Sequence, residues 1–434
     1  MRSTLRVLKY LLIGVIIIAS CSSIPTLGIA KTKIVYWALW GGYEEQVMRV
    51  AIDKFNKSQD EIEVEYQRVG DIGTKLLTAI AAGDPPDLAF LWSYSVPEYA
   101  QRGALMPLDS FVRKSSLKKD MFIPAIWNLM FYGGKMYSLP ILPWNVAFYW
   151  NKGLFREAGL DPNTSPKTIE ELDKFSEKLT VKDDKGRIVR MGFIPWSPGW
   201  WEWSWPYFFG GKIYDDRTHK VILTSTPVIK AYTWEANYSK KYGVTQLSVF
   251  TSGLGDYFSQ NYPFFTEKTA MELAGCWEGK YIKNNNPKIE FGVALPPVQR
   301  PAKYGTNYVY ADTNIIPKGS KHPNEAFKFM EYLYREDVMS EITKGFYTFS
   351  PIKVQNQNQN YLKTHENPNI EALFKMAVSP NAFFEPRTPA WSFFMTELGN
   401  ARESIVQLKA EPEAALKEAE VRIQAEVDRI LGRK

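Results

Sequence analysis

The chain has 434 residues, 45% of them hydrophobic, which is more than a single core usually serves and points to two globular lobes. Its 53 Lys and Arg against 47 Asp and Glu give a formal charge of +6, and the charges are interspersed, which argues against a nucleic-acid surface. Two cysteines and three scattered histidines argue against a disulfide framework and a structural zinc site.

The first segment reads as an export signal. Arg2, Arg6 and Lys9 form a basic start, and an apolar run from Leu11 to Ala19 follows. That run is far short of the ~20 apolar residues of a spanning helix. Residues 1–20 are therefore expected to be a signal peptide and 21–32 a tether. Ile18-Ala19-Ser20-Cys21 looks like a bacterial lipobox, in which Cys21 carries a lipid. Gly28-Ile29-Ala30 offers ordinary cleavage before Lys31 instead; a lone Cys directly after the apolar run favours the lipobox. With Cys21 lipidated, Cys276 has no partner in the chain. Without the three basic residues of the signal, 50 basic residues face 47 acidic ones, a balance of +3.

Strand and helix patterns then alternate. Lys33 to Trp37 reads as a buried strand, broken by Gly41-Gly42. Val47, Val50, Ala51 and Phe55 recur at helical spacing. Ile62, Val64 and Tyr66 alternate as a second strand, and Thr74 to Ala82 is helical up to Gly83-Asp84-Pro85-Pro86. Asp87 to Leu91 is a third strand. This order predicts a parallel α/β sheet, whose ligands sit at the carboxyl ends of the strands. Trp40 and Trp92-Ser93-Tyr94 fall there. Further on, Thr168 to Leu179 is a helix with Ile169, Leu172, Phe175 and Leu179 on one face. Pro323 opens a helix through Phe327, Met330 and Leu333, and Leu416 to Ile430 marks a long terminal helix. Gln355 to Asn360 reads as an exposed polar loop. His219, His322 and His365 fall in polar turns and carry no expected role.

Several short motifs resemble, in order, those of the extracellular solute-binding family that includes maltose-binding protein. Ala82-Gly83-Asp84-Pro85-Pro86-Asp87-Leu88 resembles the family's turn into a strand, and Tyr99 to Leu105 the helix after it. Gly134-Lys135-Met136-Tyr137-Ser138-Leu139-Pro140 and Tyr149-Trp150-Asn151-Lys152 resemble its crossover. Ala158-Gly159-Leu160 and Pro166 to Leu172 follow. Phe265 to Met271 matches another motif, with Glu267 where Gly is usual, and Pro317 to Ser320 and Ala326 to Phe329 come next.

The resemblance implies a two-lobed, type II-like periplasmic-binding-protein fold, with discontinuous lobes around a hinge and the ligand cleft between them. The first lobe is expected at 33–141 plus about 305–343, and the second at 142–304 plus about 344–434. Crossings are expected near Pro140 to Trp144, Pro296 to Thr306 and Thr343 to Ser350. It further implies a monomeric, exported, non-enzymatic protein without a cofactor. Such a protein would be anchored to the membrane surface through Cys21, facing the periplasm or cell exterior. It would deliver a carbohydrate, in particular an oligosaccharide, to the transmembrane subunits of an ABC importer.

By the same resemblance, cleft positions fall on Trp40, Trp92, Tyr94, Trp144, Trp277 and Trp391, with Trp200, Trp201, Trp203 and Trp205 in the matching second-lobe segment. Aromatic plates suit the apolar C–H faces of a pyranose, and fixed polar groups suit its hydroxyl rim. Glu202, Glu278, Asp312 and Arg387 sit beside those aromatics as candidate polar partners. Trp37 and Trp234 fall within regular elements and are expected in the core. Where maltose-binding proteins often carry acidic groups, Tyr94 and Trp144 stand, which sets maltose itself in doubt. Glu44-Glu45 at the first helix start complements its dipole and disfavours an anion. An aromatic box could instead hold a polyamine or quaternary amine. A carbohydrate-active enzyme is the third reading, with an acid and base among Glu202, Glu278 and Asp312; no nucleophile elbow or His-Glu-x-x-His motif supports it.

Overall fold

The computed structural model describes residues 31–433. The signal segment and Cys21 lie outside the described residues. Numbering the principal elements in chain order, β1 (Thr32–Ala38), α1 (Gly42–Ser58), β2 (Ile62–Arg68), α2 (Ile72–Ala81), β3 (Leu88–Trp92) and α3 (Val96–Gln101) come first. β1 lies between β2 and β3 and is parallel to both, as the alternation predicts. Ile34, Tyr36 and Ala38 of β1 and Ile62, Val64 and Tyr66 of β2 are the buried alternate positions. Gly42 has a φ of 59°, so the sharp entry into α1 needs a residue without Cβ. α1 buries Met48, Ala51, Ile52 and Phe55. The expected face was one step off: Val50 is 44% exposed, because Met48 and Ile52 hold the centre of the apolar stripe.

The chain continues through β4 (Leu139–Asn151), α4 (Ile169–Leu179), α5 (Thr226–Tyr242), β5 (Met271–Gly275), α6 (Glu278–Asn285), β6 (Phe291–Ala294), β7 (Asn307–Ile315), α7 (Pro323–Tyr332), α8 (Glu336–Gly345), α9 (Trp391–Val406) and α10 (Pro412–Ile430). One sheet runs in the order β5-β4-β7-β3-β1-β2, with β6 also on β4. β4 is buried along its whole length, and its partner changes midway. Leu139 to Asn145 pair with β7, whereas Val146 to Trp150 pair with β5 and Phe148 to Asn151 with β6. One half of β4 is thus held by β7 and the other half by β5 and β6. α1 and α8 pack together at the β1–β2–β3 end, and α5, α9 and α10 pack together at the other. β4 and β7 are buried on both faces because this body covers them from both sides, so no alternation marks them.

Local chemistry fixes the element ends. Thr168 accepts from the Glu171 backbone while Glu171 reaches back to the Thr168 N–H, a capping box that starts α4. Its buried face is Ile169, Leu172, Ser176 and Leu179, with Phe175 half-buried. Glu267 has a φ of 58°, which explains why the related motif prefers Gly there; its carboxylate accepts from Asn151 Nδ2 at 3.1 Å. The segment 355–360 is exposed only in part: Gln357 to Asn360 are exposed, but the segment forms a 3₁₀ turn and a helix start rather than a loop, and its first two residues are inside. Gln355 and Asn356 are buried, and the Asn356 amide accepts from Ser350 N and donates to Ser350 O and Ile352 O. The polar side chains there satisfy buried backbone. His365 is likewise buried, against the Thr348 carbonyl at 3.0 Å, and desolvation lowers its pKa to about 4.

Candidate functional site

A cavity of about 670 Å³ opens between the lobes at the carboxyl ends of β1 and β3. Its first-lobe wall consists of Trp40, Trp92, Tyr94 and Trp144 with Asp312. Trp92 ends β3, Tyr94 follows it, and the two rings stack at 5.7 Å with an interplanar angle of 8°. Trp144 lies on β4, opposite Tyr310 of β7, and Asp312 lies on β7 opposite Trp92 of β3. The ladder bonds of one sheet therefore set the spacing of this wall.

The second-lobe wall is made of Trp200, Trp201, Trp203, Trp277 and Trp391. The first three lie in the stretch that precedes and forms a short 3₁₀ turn, Glu202–Ser204. Trp277 caps α6 and Trp391 opens α9. Trp144 and Trp277 meet edge to face, 4.6 Å apart at 87°, and Trp391 approaches Tyr94 at 6.5 Å with the rings tilted by 53°. Trp203 packs at 84° against Trp391.

Not every residue singled out in the sequence reaches the cavity. Glu202 turns away toward Arg402, 3.9 Å distant. Glu278 is fully buried behind Trp277 and accepts from the Tyr257 hydroxyl. The Arg387 guanidinium donates to the Asn128 carbonyl at 2.6 Å. Trp205 is fully buried and donates its indole N–H to the Pro195 carbonyl at 2.8 Å, so it is core. Trp234 is buried as expected and bonds Asp173; Trp37 is half-buried and bonds Gln67.

Other lining residues escaped the sequence reading. Tyr308 and Tyr310 share one face of β7 with Asp312 and line the cavity. Their i, i+2, i+4 spacing was the available signal. Glu44, read only as a helix-dipole partner, faces the cavity, and so does Glu385 in the loop before α9, which no pattern marks. Tyr281 and Phe258 complete the rim of the second wall.

Three carboxyl groups thus sit among aromatic rings. Burial raises Asp312 to about 8, offset in part by the Trp144 and Trp40 indoles. Burial raises Glu44 to about 7, with the Tyr43 hydroxyl pulling the other way. Burial also carries Glu385 well above the carboxylate range. Such groups can both donate and accept hydrogen bonds near neutral pH. Among the described residues, no group of three or more His, Cys, Asp or Glu side chains stands where it could hold a metal ion. No helix among them is long and apolar enough to cross a membrane.

Two α/β lobes joined by a shared strand, with an aromatic cavity between them, define a two-lobed binding protein of the maltose-binding type. The sequence profile of the bacterial extracellular solute-binding protein family matches residues 41–340, and the chain belongs to that family. The family consists of exported substrate-binding proteins, not enzymes. A binding protein of Brucella abortus is 27% identical over 419 residues, 96% of this chain and 97% of that one. The maltotriose-binding protein of Pyrococcus abyssi is 25% identical over 314 residues, covering 69% and 62%. Solved structures of CpMnBP1 with mannobiose and with mannotriose bound are 31% identical to the chain, with a TM-score of 0.79, over 91% of this chain and all of theirs.

Proposed function

We propose that this protein captures an oligosaccharide in the inter-lobe cavity by aromatic stacking and hinge closure, and delivers it to the transmembrane subunits of an ABC-type importer. The observation that carries the reading is the cavity itself: aromatic rings from both lobes face one space with three carboxyl groups among them. Rings cover the C–H faces of a pyranose and the carboxyl groups bond its hydroxyls. A relative named for maltotriose and a similar structure with mannobiose bound support a short oligosaccharide, and the cavity volume suits a ligand of a few rings. Contact with both lobes stabilises the closed form, which is the state the importer reads. The lobes are taken as 33–141 plus about 305–343 and 142–304 plus about 344–434, with Trp144, just past the crossing, still paired to the 307–315 strand and so on the wall of the first. Cys21 is taken as the lipid-bearing residue that holds the protein at the membrane surface.

A thermal-shift panel tests the ligand class, because a ligand that binds only the native state raises its melting temperature. Mannobiose, mannotriose and maltotriose are the saccharide arm, and spermidine is the other. The three carboxyls within an aromatic box also suit a cation, which is the second reading. A shift with a saccharide and none with spermidine supports the first reading; the converse overturns it.

A further inference from the structure

Behind the second-lobe wall lies an acidic pair with no cation to offset it. Glu272 on β5 and Glu278 on α6 are 2% and 0% exposed. One oxygen of each is bonded: Tyr262 donates to Glu272 Oε2 at 2.6 Å, and Tyr257 donates to Glu278 Oε2. The other oxygen of each, Oε1, is buried and has no donor. The two tyrosines that bond these carboxyl groups pack ring to ring at 4.9 Å, which places the two glutamates side by side. Around them stand Tyr257 and Tyr262 from the loop before β5, Tyr149 on β4 and Tyr281 on α6. Among the described residues no Lys, Arg or His contributes to either glutamate.

Two carboxylates in one dry site repel, and burial opposes both charges. A proton between them removes one charge and supplies the missing donor, so that one carboxyl donates and the other accepts. Burial, with the neighbouring Glu278 charge, holds Glu272 well above the carboxylate range, and burial raises Glu278 to about 7.

The pair is wired to the cavity. Trp277 donates its indole N–H to Tyr257 Oη at 2.8 Å, while Tyr257 donates onward to Glu278. The Tyr257 ring lies 4.5 Å from Trp200 and 5.7 Å from Tyr281. Trp277, Trp200 and Tyr281 all line the cavity. We infer that Glu272 and Glu278 share one proton and act, through Tyr257, as positioning residues for the stacking plates Trp277 and Trp200. The role in positioning rests on the stacking reading of that cavity. When the shared proton leaves, two negative charges face each other, the carboxylates part, and Tyr257 loses its fixed acceptor. Grip on the ligand therefore weakens as pH rises. Glu278→Gln holds the same geometry without the proton: its amide donates to Glu272 and its carbonyl accepts from Tyr257.

The test has two arms on the full mature protein. Mannotriose is titrated by calorimetry at pH 6 and pH 9, and ligand-free thermal unfolding is followed over the same range. Wild-type affinity is expected to fall about tenfold from pH 6 to pH 9. Glu278→Gln stays within about twofold of wild type at pH 6 and keeps most of its affinity at pH 9, whereas Glu278→Ala loses about tenfold already at pH 6. Without ligand, the pair binds protons more tightly folded than unfolded, so stability is full below the unfolded carboxylate range and is lost as pH rises through the folded values. Glu278→Gln should flatten that loss. A Glu278→Gln variant that declines like wild type in both arms overturns the shared proton, and a Glu278→Ala variant with wild-type affinity at pH 6 overturns the positioning role. Should no saccharide bind wild type, the sugar reading fails, and the unfolding arm alone decides the shared proton.

Discussion

On the first-lobe wall, Trp92, Trp144 and Asp312 occupy strands of one sheet, and backbone ladders hold them in register. On the facing wall, Trp200, Trp201 and Trp203 occupy a stretch whose only regular element is a three-residue turn. Side chains hold that stretch. Ser204 donates its hydroxyl to the Trp201 carbonyl at 2.5 Å, Trp205 bonds the Pro195 carbonyl, and Arg402 lies 5.7 Å over Trp196. Arg402 in turn bonds Glu235 at 2.6 Å and approaches Glu202. A wall built on ladders spreads its dependence over many bonds, whereas a wall built on a few buried polar contacts concentrates it.

The largest expected effect therefore comes from behind the second wall. Arg402→Met leaves Glu235, which is fully buried and raised by burial to about 7, without its cation. Breaking one side of a buried pair costs ~3–5 kcal/mol, which denaturant unfolding would measure. Replacing both partners with apolar residues should recover most of that loss. A loss below ~1 kcal/mol for Arg402→Met would remove the contrast between the walls.

Next come the plates. Truncating a buried aromatic anchor costs ~2 kcal/mol, or roughly thirtyfold in affinity. Trp277→Ala and Trp391→Ala should each lose about that much by calorimetry, with circular dichroism unchanged. Trp200 is 38% exposed at the rim, so Trp200→Ala should lose only several-fold. Equal losses at Trp200 and Trp277 would mean that depth in the cavity does not set the contribution.

The first wall has its own pH signature. Asp312 holds its proton to about 8 when folded, mainly because of burial. Its contribution to stability is full below the unfolded Asp range near ~4 and is lost as pH rises through about 8. Asp312→Asn should flatten the fall of melting temperature over that interval in ligand-free protein. An unchanged profile would assign the slope to other groups. The smallest effect is that of salt: raising it to ~0.5 M should leave saccharide affinity nearly constant, since screening acts on exposed charges and not on stacking.

Legibility in the sequence follows the same division. The βαβαβ start was readable because Ile62, Val64 and Tyr66 alternate, and because the short apolar runs Lys33 to Trp37 and Asp87 to Leu91 are bounded by Gly and Pro breaks and separated by helical spacing. Trp92 and Tyr94 could be placed at strand ends by that pattern alone. β4 and β7 are covered on both faces, so periodicity is silent there, and ordered motifs marked the crossover instead. Glu202, Glu278 and Arg387 were drawn toward the cavity by adjacency in sequence, but each turns to a partner behind it or beside it. Glu385 belongs to a loop whose direction is set by tertiary packing, which no local pattern encodes.

Closure of the two walls on one saccharide is most directly measured by small-angle scattering from the protein, with and without a saturating concentration of the saccharide that gives the largest thermal shift. The clamp predicts a smaller radius of gyration with the saccharide bound, and the Trp277→Ala variant should reach the same compact value only at higher ligand concentration. A wild-type profile unchanged at saturation would contradict the closure of these walls around a sugar.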